Sequence, residues 1–116
     1  MSNLNMYIDG IVYNGNNYVA SQADADNLAD GLYAAFASVS LDGKTFTCTD
    51  VRVYQDVNSD SKNVVACFRG CTYYSANAYW GTLSAQFISD ARTAALSVSL
   101  LTDICRIKVI TDLDNN

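Results

Sequence analysis

Glutamate, proline and histidine are missing from this chain altogether. Without histidine there is no ordinary Ser-His or Cys-His nucleophile and no imidazole general base. A zinc site would have to use all four cysteines, Cys48, Cys67, Cys71 and Cys105, whose spacing lacks the paired CxxC pattern. The acid side is therefore wholly aspartate, and Asp, Asn, Ser and Thr compete with the helical backbone for hydrogen bonds, which favours strands and turns. Glycines are few and scattered, so no phosphate-cradling loop is present. Basic residues are scarce as well: seven Lys and Arg stand against 12 acidic residues, a net charge of -5. That is the wrong sign for a protein that coats itself in nucleic acid, so any such role needs a locally basic surface. Apolar runs are short, and Met1-Ser2-Asn3-Leu4-Asn5 is neither basic nor apolar. The expectation is a soluble protein with no targeting segment and no membrane partner.

What is present suits one domain over residues 1–116, with half of the residues hydrophobic. If Cys67 and Cys71 share a strand they stand about 13 Å apart, too far to bridge, so reduced and buried thiols are expected. The stretch Lys44 to Arg69 organises the chain. In Lys44-Thr45-Phe46-Thr47-Cys48-Thr49 the hydroxyls of Thr45, Thr47 and Thr49 share one face of a strand and Phe46 and Cys48 the other. A polar run, Asp56 to Asn63, then precedes apolar Val64-Val65-Ala66-Cys67-Phe68, giving an antiparallel hairpin with a solvated tip. Met6 to Tyr13, the turn residues Asn14 to Asn17 and Tyr18-Val19-Ala20 suggest an opening hairpin.

Leu28, Leu32, Ala35, Phe36 and Val39 recur at helical spacing behind Ser21 or Asp24 as a cap, which predicts a helix over Asp24 to Ser38. Gly31 in its middle costs about 1 kcal/mol against alanine. Tyr79 to Ile88 alternates as a strand would, with Leu83, Ala85 and Phe87 on one side, and Ser89-Asp90 reads as a cap. From Ala91 to Leu101, Ala94, Ala95, Val98 and Leu101 mark one helical face, and Leu96 and Leu100 a second. Ile104 to Ile110 fits either a continued helix or a last strand.

Asp56-x-Asn58-x-Asp60 has the spacing of a calcium loop. However, Ser61 stands where that loop needs glycine and Cys67 where it needs a bidentate glutamate. Asp24, Asp26 and Asp30 suit caps and a solvated helix face better than a catalytic carboxylate pair. No catalytic residue, cofactor or metal is expected. The cluster Tyr73, Tyr74, Tyr79 and Trp80 can stack on bases or sugars, sit at a subunit contact, or pack near a sheet edge.

The order of these pieces resembles the coat proteins of single-stranded RNA bacteriophages, the levivirus-like group. Asn27-Leu28-Ala29-Asp30-Gly31-Leu32 is similar to that family's Asn-Phe-Ala-Asn-Gly-Val segment, Thr47-Cys48-Thr49 to its Thr-Cys-Ser, and Trp80 falls early in a long penultimate strand. The resemblance implies an α+β fold: an N-terminal β-hairpin, a five-stranded antiparallel sheet and a C-terminal helix packing across a dimer partner. It implies a capsid protein whose homodimers close into an icosahedral shell around single-stranded genomic RNA, found in the virion and assembled in the bacterial host cytoplasm. By the same resemblance Thr45, Thr47 and Thr49 would face RNA, with Lys62 and Arg69 as phosphate contacts by position. Ala94, Leu96, Val98, Leu100 and Leu101 would form the dimer interface. Against the family's pattern, Leu83 and Ala85 stand where a paired Tyr and Asn belong.

The rival expectation is a ferredoxin-like α+β module with helices at Asp24 to Ser38 and Leu83 to Leu101 and a final strand at Ile104 to Ile110. It would serve as a phage tail or head-completion protein, or as a small binding or immunity module.

Overall fold

A computed structural model describes residues 3–37, 39–55, 63–73 and 83–112. In chain order the elements are β1 (Asn3–Asp9), β2 (Val12–Tyr13), α1 (Gln22–Ala35), β3 (Val39–Leu41), β4 (Lys44–Thr47) and β5 (Asp50–Gln55). There follow β6 (Val64–Arg69), β7 (Thr72–Tyr73), α2 (Ala85–Leu96), β8 (Leu101–Asp103) and β9 (Arg106–Asp112). The four long strands make one antiparallel sheet in the order β5-β6-β1-β9. With α1 between the first two of them and α2 between the last two, the frame runs β-α-β-β-α-β and the sheet order is 4-1-3-2. That is the ferredoxin-like arrangement. Two smaller sheets, β3-β4-β7 and β2-β8, are added to it.

The helix α1 forms in the segment where spacing predicts it, from Gln22 to Ala35, and Val39, which fitted the same spacing, lies in β3. Ser21 caps the helix, its hydroxyl accepting from the Asp24 N–H at 3.2 Å, and Ala25, Leu28 and Leu32 bury one stripe. Gly31 has a packing reason: a β-carbon there would lie 2.8 Å from Cγ1 of Val98, so the missing side chain lets the turn after α2 close onto the helix. The second helix, α2, starts earlier than expected. Ser84 caps it, accepting from the Phe87 N–H at 3.0 Å, and Phe87, Ala91 and Ala95 are buried at i, i+4 and i+8. It is fixed to the β3–β4 turn by the Ser84 hydroxyl, which donates to Asp42 at 2.9 Å, and by the Asp42 N–H, which donates to Asp90 at 2.9 Å. That turn is Asp42-Gly43, both at positive φ (53° and 76°), the geometry a two-residue hairpin requires.

The core joins the helices to the sheets. Met6, Ile8, Val64, Ala66 and Phe68 from the four-stranded sheet meet Leu28, Leu32, Phe36, Phe87, Ala91 and Ala95 from the helices. At its centre the rings of Phe36, Phe46 and Phe68 pack edge to face, with centroids 4.7 to 6.5 Å apart. They link α1 to both larger sheets.

Four expectations need correction. The main sheet has four strands, not five. The opening hairpin does not form: Asn14 and Gly15 do turn, but both edges of β1 are already occupied by β6 and β9, and β2 pairs with β8 instead of 18–20. The Lys44 to Arg69 hairpin forms only from Asp50 onward, because β4 ends at Thr47 and pairs with β3 and β7. The strand expected through Ile88 is helix from Ala85, where the Ser84 cap and the Phe87, Ala91, Ala95 stripe outweigh a short alternation. Among the described residues no helix is long and apolar enough to cross a membrane.

Candidate nucleic-acid interface

Strand alternation gives the four-stranded sheet a second face. Opposite the core side stand Asn5, Tyr7 and Asp9 of β1, Asp50, Arg52 and Tyr54 of β5, Val65, Cys67 and Arg69 of β6, and Arg106 and Lys108 of β9. None of these side chains joins the central core cluster. By strand position four of the chain's seven basic residues lie here, against three of its 12 acidic ones, Asp9, Asp50 and Asp112. This face of an acidic protein is thus net positive by strand position.

The register orders these groups into rows. Arg52 is opposite Cys67, Cys67 opposite Tyr7, and Tyr7 opposite Lys108, so one row crosses all four strands with a cation at each end. Three strand spacings put its ends about 14 Å apart at the backbone. The next row holds Tyr54, Val65, Asp9 and Arg106. Two of the cations are tied. Arg69 donates to both oxygens of Asp50, at 2.8 and 2.7 Å, and Arg106 Nε donates to Asp9 at 2.8 Å. Lys108 Nζ lies 5.7 Å from the centre of the Tyr7 ring, a cation–π contact. Tyr54 is 43% exposed. Asn5, Tyr7, Arg52, Tyr54, Cys67 and Arg69 line a cavity of about 370 Å³, a size that suits a small ligand or one splayed base.

The hydrogen bonds from Arg69 hold the Asp50 carboxyl below its ordinary range, and the same pair raises Arg69. Burial, aided by its contact with Cys67, raises the Tyr7 hydroxyl, and burial raises the Cys67 thiol. Both shifts favour the neutral, protonated forms of Tyr7 and Cys67 at neutral pH. Such a surface has the chemistry to hold a phosphate chain and to stack on bases. Burial pushes Cys48 up to about 11 and Cys71 up to about 12. All four cysteines are free; Cys67 and Cys71 are buried as expected, whereas Cys105 is exposed and Cys48 half-buried. Among the described residues no three potential metal ligands gather.

The sequence-based RNA residues divide. Arg69 is on this face. Thr45 and Thr47 are on β4 of the three-stranded sheet, opposite Ser40 and Thr72, where hydroxyl pairs are ordinary cross-strand neighbours. Thr49 lies just beyond β4, its hydroxyl donating to the Gly70 carbonyl at 3.5 Å. Lys62 falls outside the described residues, as do the loop at Asp56 and Tyr74, Tyr79 and Trp80. The face's other members, Tyr7, Arg52, Tyr54, Arg106 and Lys108, were missed. Their signal is the alternation of Arg52-Val53-Tyr54 and Arg106-Ile107-Lys108-Val109, which places cations and an aromatic on one side of a strand.

The expected dimer residues also divide. Ala94 and Val98 pack against this subunit's own core, and Leu101 is buried at 4% exposure in β8. Leu96 and Leu100 are 37% and 51% exposed. The chain itself thus covers most of the apolar surface between Ala91 and Leu101, and only the second helical face looks outward. No family model, curated protein or solved structure matches this chain.

Proposed function

We propose that this protein binds single-stranded RNA across the outer face of its four-stranded sheet and performs no catalysis. The observation that carries this reading is the gathering of Arg52, Arg69, Arg106 and Lys108 with Tyr7 and Tyr54 on one sheet face of a chain whose net charge is -5. Cations supply attraction to phosphates, and aromatic rings on a four-stranded sheet supply a platform for unpaired bases. A duplex hides its bases and cannot use the rings. Fluorescence anisotropy with a labelled, unstructured RNA oligonucleotide at about 50 mM salt tests the reading, because the phosphate term is strongest at low salt. Binding that exceeds that of a duplex of equal length, and that weakens on Tyr54→Ala, supports it. Failure to bind at that salt, or equal binding to duplex, removes it.

A second reading has one observation in its favour. Ile88 and Leu96 of α2 and Leu100 of the turn after it are exposed large apolar side chains, and Leu100 is held at a φ of 69°. A second copy that covered this set would realise, in smaller form, the helix packing of a coat-protein dimer, on the way to a shell. The order of elements no longer supports that reading, since α1 occupies the segment where the resemblance requires a strand. The ferredoxin-like frame leaves a head- or tail-assembly part as its variant. Negative-stain microscopy and sedimentation of the expressed protein test it: uniform particles or a stable dimer support self-assembly, and a monomer at high concentration counts against it.

A further inference from the structure

The basic face has four cations, and they are not equivalent. Arg69 is clamped by a bidentate, charge-assisted pair with Asp50, the strongest geometry available to a guanidinium. Arg106 is held by Asp9, which lies directly opposite it in the sheet and is buried. The remaining two, Arg52 and Lys108, have no carboxylate within salt-bridge distance among the described residues. They stand at the two ends of the row that runs through Cys67 and Tyr7. Lys108 is held over the Tyr7 ring by a cation–π contact, a looser hold than hydrogen-bonded ion pairing.

We propose that Asp50 and Asp9 act as built-in competitors that keep Arg69 and Arg106 from the RNA, so that the strand is gripped at two phosphates, by Arg52 and Lys108, and crosses the sheet along the Tyr7 row. This rests on the single-stranded RNA reading above and adds to it the number of contacts, their direction and the residue that limits affinity. Asp50 is the adjustable competitor. Its pair with Arg69 is exposed on both sides, whereas Asp9 is enclosed and anchors the end of β1.

Salt dependence counts the contacts. For single strands the slope of log K against log salt is about -0.7 per neutralised phosphate, so two contacts give about -1.4 and four about -2.8. Between 50 and 200 mM salt these correspond to losses of roughly sevenfold and roughly fiftyfold. The experiment is anisotropy with the same unstructured RNA on the full chain, comparing wild type, Asp50→Asn and the double variant Asp50→Asn/Arg69→Ala, each checked for folding by urea unfolding. The expected slopes are about -1.4 for wild type, about -2.1 with tighter low-salt binding for Asp50→Asn, and a return to about -1.4 for the double variant. A wild-type slope near -2.8, or an Asp50→Asn protein that binds no more tightly, overturns the competitor role while leaving RNA binding intact. Absence of any RNA binding by the wild type removes both.

Discussion

The two faces of the four-stranded sheet are made from the same strands, residue by residue in alternation, yet they carry opposite chemistry. One presents Met6, Ile8, Val64, Ala66 and Phe68 and is closed by α1 and α2; the other presents Tyr7, Arg52, Tyr54, Cys67, Arg69 and Lys108. Because neighbouring residues serve different faces, stability and recognition are separable at single positions. The dry face sets the folding free energy through buried area, and on the proposed function the basic face would set binding through charge and rings. Substitutions that cross this division would show it to be false.

The largest effect is expected on the dry face. Phe68→Ala removes a fully buried ring that packs against Phe36 and Phe46, and a Phe→Ala change in such a core costs about 3–5 kcal/mol. Urea unfolding should show that loss, a large share of a typical domain's stability. A cost under about 1 kcal/mol would mean that the core is less closely packed than its ring geometry describes. Tyr54→Ala is the counterpart on the other face. It should weaken RNA binding by about 1–3 kcal/mol, the scale of one stacked base, by anisotropy. Its folding stability should shift by no more than about 1 kcal/mol, the span of strand preference at a part-exposed site. If the two losses came in the reverse proportion, the ring would belong to the core.

Crowding is the next point of contrast. A methyl group added to the helix layer has nowhere to go at Gly31, where a β-carbon would meet Val98 at 2.8 Å. Gly31→Ala gains about 1 kcal/mol of helix propensity, and overpacking costs about 1–3 kcal/mol, so the net change is expected to be a loss of about 1 kcal/mol. In a Val98→Ala background the same substitution should become stabilising, because the obstructing branch is gone. Unfolding curves for the two single variants and the double one check the reversal; a Gly31→Ala protein that is simply more stable would place the turn after α2 farther from α1.

How much of this could be read beforehand follows from which signals are local. Ser21 and the Leu28, Leu32, Phe36 spacing fall within one helix, so α1 was legible, and the β5–β6 pairing was legible from the polar run between two β-rich segments. The Asp42-Gly43 turn was equally local and was overlooked, which let β4 be joined to β5 as one arm of a longer hairpin. Leu83, Ala85 and Phe87 fit a period of two, and Phe87, Ala91 and Ala95 a period of nearly four. The overlap is what misplaced the start of α2. What no local pattern contains is that β1 lies between β6 and β9, some 60 and 100 residues away. Without that register, Arg52, Tyr7 and Lys108 remain three unrelated residues and the basic face stays hidden in an acidic composition.

The smallest effect expected is the acid response of the basic face. Arg69 lowers the folded-state pKa of Asp50 beneath its ordinary 3.8. A carboxylate with a depressed folded pKa contributes stability that is fully present above its unfolded value and disappears as pH falls through the folded one. Between pH 7 and pH 5 the Asp50 pair should therefore leave the melting temperature unchanged; its contribution should begin to fall only near pH 4 and be lost as pH drops through the depressed folded-state value. Asp103, held down by Arg92, follows the same sign. Asp50→Asn should flatten part of the fall seen below pH 4, and only a small part, because both partners are exposed and solvent screens the pair. Melting curves of wild type and variant from pH 3 to pH 7 measure this. If the variant's melting temperature fell sharply at pH 7 as well, Asp50 would be a structural anchor of β5 and β6, and the division between a stabilising face and a binding face would fail at that position.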